Sequence, residues 1–209
     1  MNPSILYRLP HFVCLYFGIN LNSACQLSPP NQHRITHTVS TNTPAVSVYR
    51  TMQSYAKVHH YNTATAFFIN LKIHSGKPRF FVLDLKNEQI TSSALVTHGS
   101  GSSVAADSLI FSNKPGSNAS SLGWYRVGAS YQGRFGLAFK LHGLSASNSN
   151  AFERAVVLHA HPCVPEASVF PSTICESWGC PTVAPGFLNQ LQKIIDRSKL
   201  PVLLQIVYQ

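Results

Sequence analysis

Residues 175–181 read "CESWGCP", which places two cysteines, a serine, a tryptophan and a glycine within a short segment. Cys180 stands between Gly179 and Pro181, and the missing side chain of Gly179 lets a substrate approach the backbone there. Backbone N–H groups around such a turn can bind the oxyanion of a tetrahedral intermediate. Cys180 is therefore a candidate nucleophile, and the open alternatives are half of a disulfide or a metal ligand.

The cysteine count favours a free thiol at Cys180. The chain has five cysteines, and Cys14 and Cys25 lie in a segment that resembles an export signal. Three cysteines remain in the body of the protein, and an odd number in an exported protein leaves one thiol unpaired. We therefore expect that Cys163 and Cys175 can pair across the short loop between them, with Cys180 free.

A nucleophilic cysteine needs a nearby base. The stretch "RAVVLHAH" (154–161) ends a strongly apolar segment with His159 and His161. Side chains at i and i+2 of a strand share one face, so both imidazoles are predicted to point toward one site. An adjacent imidazolium is expected to lower the pKa of the Cys180 thiol.

Zinc is the competing interpretation of the same residues. His159 and His161, with the three cysteines of the body, supply enough ligands for a tetrahedral site. Their spacing matches no common zinc module, and we predict no metal and no cofactor.

Outside these stretches the chain is rich in strand patterns. Segments with many β-branched and aromatic residues occur at 65–73, 79–85, 89–98, 124–131, 136–144, 154–161 and 200–208. Two segments, 44–60 and 185–199, have apolar residues at helical spacing; in the first these are Val46, Tyr49, Met52, Tyr55 and Val58. Residues 99–123 form a long loop rich in Gly, Ser and Asn, a length typical of functional loops. The predicted fold is mostly β, with one helix before the strands and one near the end.

Composition limits the classes of partner. The chain is 44% hydrophobic and 11% charged, and its net charge is +9, from 16 Lys and Arg against 7 Asp and Glu. This excess favours anionic partners such as an acidic polymer. The basic residues are scattered along the chain without a Lys/Arg run, so we predict no nucleic-acid binding.

The N-terminal region predicts export. Residues 1–25 resemble a weak secretory signal, too short and too interrupted to span a membrane; a disordered arm is the alternative. Residues 26–43 read as a linker rich in Pro, Ser, Thr and Asn, and residues 44–209 as one domain. The expected location is the periplasm or the exterior of the cell.

Four segments in order resemble the murein L,D-transpeptidase catalytic-domain family, in the YkuD-like branch whose cysteine motif reads S-W-G-C-P. They are "HGSGSS" (98–103), residues 111–144, "AVVLHAH" (155–161) and "ESWGCPTV" (176–183), and the resemblance covers about residues 45–198. It implies a β-sandwich or barrel-like domain that acts on peptidoglycan stem peptides in the cell envelope.

The resemblance also implies roles for individual residues. Cys180 is the implied nucleophile and His159 the implied base, and Ser177, Trp178 and Gly179 form the turn that shapes the oxyanion site. The alternative bases are His161 and then His98. Arg126 and Arg134 are the candidates for binding the substrate carboxylate.

The implied reaction is a two-step acyl transfer. The Cys180 thiolate attacks the carbonyl that joins the third residue of a stem peptide to a terminal D-alanine. An amine of a second stem peptide then takes the acyl group from the thioester, whereas transfer to water makes the protein an L,D-carboxypeptidase. A non-catalytic wall-binding module and a zinc-stabilised structural protein are the hypotheses from other classes.

Overall fold

The computed structural model describes residues 43–105 and 108–209. The predicted export segment, 1–25, and the linker as far as residue 42 lie outside the described residues. Neither helix of the described part is long and apolar enough to cross a bilayer.

Ten strands and two α-helices make up the described chain. The strands are β1 (Thr65–Asn70), β2 (Phe80–Asp84), β3 (Gln89–Ala94), β4 (Ser103–Ala105), β5 (Ser108–Leu109), β6 (Gly123–Gly133), β7 (Gly136–Gly143), β8 (Val157–Ala160), β9 (Thr182–Val183) and β10 (Leu203–Val207). The helices are α1 (Val46–Val58) and α2 (Pro185–Arg197), with short 3₁₀ helices at Ser100–Ser102 and Ala146–Asn148. The prediction of a mostly β fold is confirmed.

Eight of the strands form one sheet that closes on itself. Their order is β3-β2-β1-β10-β6-β7-β8-β9, and β4 pairs with β5 separately. The chain beyond β3 reaches the opposite edge, where Val96 forms a bridge with Val183 of β9. The Thr97 N–H donates to the carbonyl of Thr182 at 2.9 Å. These contacts close the sheet in a barrel-like manner, one of the two arrangements that the resemblance implied.

Both faces of the central strands are buried, which explains their continuous apolar sequences. Alternate residues of a strand point to opposite faces. In β1, Phe67 and Ile69 join the core that includes Phe187, Leu188 and Leu191 of α2. Ala66 and Phe68 join a second core with Tyr49, Met52 and Ala56 of α1. We call the α2 side the inner face of the sheet and the α1 side its outer face.

The buried side of α1 differs in part from the row of apolar residues predicted at helical spacing. Tyr49 and Met52 are buried as expected, but Val46 and Val58 are exposed and Ala56 takes the next buried position. A strict three-residue spacing drifts around a helix of 3.6 residues per turn, so the ends of the row turn away from the sheet.

The predicted strand at 154–161 is shorter in the structure, as β8 begins at Val157. The sequence also gave no sign of β9, a strand of two residues, nor of β4 and β5 within the 99–123 loop.

Met52→Ala should lower the free energy of unfolding by about 2–5 kcal/mol, because a fully buried side chain is removed from the α1 core. Val58→Ala on the same helix should change it by less than about 0.5 kcal/mol, since Val58 is 71% exposed. Urea denaturation of both variants measures the difference. Equal losses would contradict the assignment of the buried side of α1.

Candidate active site

The Cys180 thiol lies beside β8, at the edge of the sheet. The Val157 N–H donates to Cys180 Sγ at 3.4 Å, and the thiol lies 3.7 Å from the carbonyl oxygen of Ala155, to which it donates. On β8, His159 is paired in register with Thr182 of β9. Cys180, His159 and Thr182 line one cavity of about 270 Å³.

Hydrogen bonds hold the loop that carries Cys180, residues 175–181. The Cys180 carbonyl accepts from Ser177 Oγ at 2.6 Å and from Thr97 Oγ1 at 3.1 Å. The Ser177 N–H donates to the carbonyl of His98 at 2.9 Å, and the Gly179 N–H donates to Ser177 Oγ at 3.2 Å. The loop is thus held by its own Ser177 and by Thr97 and His98, which are distant in the chain.

Gly179 is required where it stands. Its φ is +106°, and a Cβ there would approach the carbonyl oxygen of Ala119 to 2.8 Å. Only glycine adopts this backbone conformation without strain. The neighbouring Trp178 is 72% exposed and contributes to the lining of the thiol cavity.

The contacts of His159 define its tautomer. Nδ1 lies 3.2 Å from the carbonyl oxygen of Ala160, an acceptor, so this network assigns the proton to Nδ1. Nε2 then carries the lone pair and accepts from the Thr182 hydroxyl at 2.9 Å. Burial lowers the pKa of His159, the Ala160 carbonyl raises it, and the charge of His161 lowers it.

Cys180 is also shifted toward its neutral form. Burial raises the pKa of the thiol, and the Val157 N–H and the positive charge of Arg154 act against this shift. We expected an adjacent imidazolium to lower the pKa, but the structure gives the opposite direction because both groups lose solvent. Both shifts favour the neutral thiol and the neutral imidazole.

His161 faces the same cavity with the other tautomer. The ring of Phe135 lies 5.4 Å from the His159 ring and 5.7 Å from the His161 ring, which agrees with the predicted common face. The Cys163 N–H donates to His161 Nδ1 at 3.1 Å. Nε2 of a neutral His161 therefore carries the proton and is not a lone-pair acceptor.

His98 is held in a separate network. Its Nδ1 accepts from Nη2 of the buried Arg79 at 2.9 Å, because a guanidinium can only donate. Its Nε2 therefore carries the proton and lies 2.9 Å from Ser103 Oγ and 3.4 Å from Glu176 Oε1. Burial and then the charge of Arg79 lower the pKa of His98. His98 lines a second cavity of about 630 Å³.

The two predicted arginines lie at different distances from the site. Arg126, on β6, is opposite His142 of β7 on the outer face. Arg134, at the β6–β7 turn, stands 5.7 Å from the Phe135 ring, which itself stacks on His159. Arg134 is thus the nearer of the two to the cavity.

Sequence reasoning missed Arg154. Its guanidinium donates to the carbonyl of Ala119 at 2.6 Å and to that of Ser112 at 2.8 Å. These bonds hold the 112–121 segment beside Gly179 and place a positive charge near the thiol. A single arginine before a strand carries no signal of this role, because its partners lie in a distant loop.

Among the cysteines of the described residues, Cys163 and Cys175 form a disulfide with a Cα–Cα distance of 6.1 Å, and Cys180 is free. This is the pairing that thiol parity favoured. A disulfide also removes two of the thiolates that a zinc site at these residues would use.

A family model described as the L,D-transpeptidase catalytic domain matches residues 37–203. The chain belongs to this family. No curated protein sequence matches the chain.

Solved L,D-transpeptidases are among the structures that resemble the chain. The enzyme from Mycobacterium smegmatis is 11% identical with a TM-score of 0.41, over 68% of this chain and 58% of that one. The enzyme from Xylanimonas cellulosilytica is 13% identical with a TM-score of 0.38, over 73% and 68%. The helical cell shape determining protein Pgp2 from Campylobacter jejuni is 11% identical with a TM-score of 0.44, over 70% and 48%. The chain thus spans from about half to two thirds of these structures, and the family model alone carries the assignment.

Among the three cysteines of residues 43–209, iodoacetamide should label Cys180 alone in the native protein, and a peptide map without reduction should contain one fragment linked through Cys163 and Cys175. The pH midpoint of labelling should lie above the ordinary range of a thiol, because burial raises the pKa of Cys180. Mass spectrometry over a pH series measures both. A link from Cys175 to Cys180 would contradict the assignment.

Proposed function

We propose that this protein is a cysteine acyltransferase that acts on peptidoglycan stem peptides, with Cys180 as nucleophile and His159 as base. The observation that carries the proposal is the tautomer of His159. Of the three candidate histidines, it alone combines an Nε2 lone pair with a place in the thiol cavity.

The contacts of Thr182 support a way to free that lone pair. Its hydroxyl lies 2.9 Å from His159 Nε2 and 3.5 Å from the carbonyl oxygen of Cys180. If the Thr182 hydroxyl rotates toward the Cys180 carbonyl, His159 Nε2 is released and the hydroxyl proton still has an acceptor, the carbonyl oxygen. Thr182 is therefore a positioning residue for the base.

In the first step, His159 Nε2 takes the thiol proton while Sγ of Cys180 attacks the carbonyl before the terminal D-alanine. Within the turn of Ser177, Trp178 and Gly179, the N–H groups of Ser177 and Gly179 already donate to the His98 carbonyl and to Ser177 Oγ. The backbone N–H groups of Trp178 and Cys180 are therefore the proposed donors to the oxyanion. The imidazolium then protonates the departing amine, D-alanine leaves, and the acyl group remains on Cys180 as a thioester.

In the second step, an amine of another stem peptide attacks the thioester and gives a proton to His159. The thiolate leaves and regains this proton, and the product is a cross-linked peptide. Arg134 is the candidate for binding a substrate carboxylate, since of the two predicted arginines it lies nearer the cavity. The proposed place of action is the cell envelope.

Substitution of the site residues tests these roles. Cys180→Ala should abolish turnover of soluble tetrapeptide muropeptides and any acyl adduct, with little change in melting temperature. His159→Gln should lower the rate by about 10²–10⁴, the contribution of a general base. His161→Gln is the matched control, because His161 lines the same cavity, and it should retain most activity.

Chromatography of the products separates the alternatives. A cross-linked dimer indicates transpeptidation, and a tripeptide alone indicates carboxypeptidase activity. Retained turnover in Cys180→Ala, or equal losses in the two histidine variants, would contradict the assignment. Binding to murein without turnover would support the wall-binding module instead.

The pH profile provides an independent test. His159 must be neutral to accept the thiol proton, and burial lowers its pKa from 6.5. Activity is therefore retained as the pH falls through 6.5 and is lost only when His159 becomes protonated below that value. The acidic limb of kcat/KM, which reports the free enzyme, should have its midpoint below pH 6.5. A midpoint at or above this value would rule out a buried neutral His159 as the base.

A further inference from the structure

The outer face of the sheet is covered by α1 over only part of its width. The α1 core includes Phe81 of β2, Phe68 of β1 and Leu203 of β10. At β6 the contact reaches Trp124, whose ring stacks on Tyr55 of α1 at 4.5 Å. Past Trp124, the outer face over β6 and β7 carries cationic and aromatic side chains.

We call this region the basic-aromatic strip, and its members share the outer face of β6 and β7 or pack on it. They are Arg126, Tyr131, Lys140, His142 and Phe152. Lys140 Nζ lies 5.3 Å from the Phe152 ring and 5.7 Å from the Tyr131 ring. The Phe152 ring stacks on His142 at 4.9 Å. Phe152 is 53% exposed and Tyr131 38% exposed.

The positive charges of the strip have no acidic partner among the described residues. The ion pairs of this part of the chain join Arg50 to Glu88 and His98 to Glu176, so neither Arg126 nor Lys140 takes part. Burial, then the charges of Arg126 and Lys140, lower the pKa of His142. The surface is complementary to an anion.

The strip is continuous with the thiol cavity. Lys140 is opposite Val157 of β8, and the Val157 N–H is the group that donates to Cys180 Sγ. Ala138, two residues before Lys140 on β7, is opposite both Tyr131 of β6 and His159 of β8. The strip therefore adjoins the thiol cavity along β7 and β8.

We propose that the basic-aromatic strip binds the glycan strand of the substrate, an anionic polymer of sugar rings with carboxylate-bearing peptides. This inference rests on the proposed function and specifies where the polymer lies. Exposed aromatic rings with a polar surround present an apolar face to the C–H groups of sugars. Lys140 and Arg126 attract the carboxylates beside them. The polymer is held on the strip while one stem peptide enters the cavity.

The experiment is cosedimentation of the full chain with purified murein sacculi. The test variant is the double substitution Lys140→Ala/Phe152→Ala. The matched control is Lys77→Ala/Phe170→Ala, because Lys77 Nζ also lies over the ring of Phe170, which is 52% exposed, outside the strip. Turnover of a small soluble muropeptide is measured for each protein.

The test variant should bind sacculi about fivefold or more weakly, as expected when an exposed charge and an aromatic contact are lost together. The control should bind like the unsubstituted protein and process the soluble muropeptide at the same rate, and both variants should keep the melting temperature of the unsubstituted protein. Binding of the unsubstituted protein should fall as NaCl rises from 0.1 to 1 M, where the Debye length shortens from about 10 to about 3 Å.

Equal binding by the test variant, or an equal loss in the control, would overturn the proposal. Competition by homopolymeric RNA as effective as that by soluble glycan fragments would also overturn it and indicate a nucleic-acid surface. If the unsubstituted protein binds sacculi but does not process the soluble muropeptide, the proposed function fails while the strip assignment stands.

Discussion

The site depends on the contact between Thr97 and Thr182, where the two edges of the sheet meet. The Thr97 N–H donates to the Thr182 carbonyl at 2.9 Å, and the Thr182 N–H donates to Thr97 Oγ1 at 3.1 Å. The same Thr97 hydroxyl donates to the carbonyl of Cys180 at 3.1 Å. One side chain therefore closes the sheet and fixes the backbone of the cysteine.

Thr182 extends this contact to the histidine. Its backbone belongs to the closure of the sheet, and its hydroxyl lies on Nε2 of His159. Thiol and imidazole are thus positioned by a pair of residues on opposite edges of one sheet. Their relative placement is set by β-sheet hydrogen bonds, which are more rigid than contacts between loops.

Local patterns in the sequence were sufficient for both α-helices and for the longer strands. Helical and strand periodicities indicated both α-helices and the longer strands, thiol parity favoured a free Cys180, and the i, i+2 rule placed His159 and His161 on one face. Each of these signals comes from residue spacing or residue counts, so it needs no knowledge of contacts between distant segments.

The rest depends on partners that are distant in the chain. Thr97 and Thr182 are 85 positions apart, and Arg154 contacts Ala119, which is 35 positions away. Neither threonine nor arginine is unusual in its own segment, so only the folded chain reveals the contact. The tautomers of the three histidines also follow from contacts of the folded chain, although only Arg79 is distant from its histidine. The contacts are those with the Ala160 carbonyl, the Cys163 N–H and the Arg79 guanidinium.

Burial of the thiol and of its base has a consequence for the proposed reaction. Loss of solvent raises the pKa of Cys180 and lowers that of His159, so both shifts oppose a resting thiolate–imidazolium pair. The Val157 N–H and the charge of Arg154 reduce this cost at the sulfur. In the proposed reaction, negative charge on sulfur therefore develops mainly while it passes to the oxygen of the substrate carbonyl. Proton transfer from the thiol to His159 then accompanies the attack of sulfur on the carbonyl carbon.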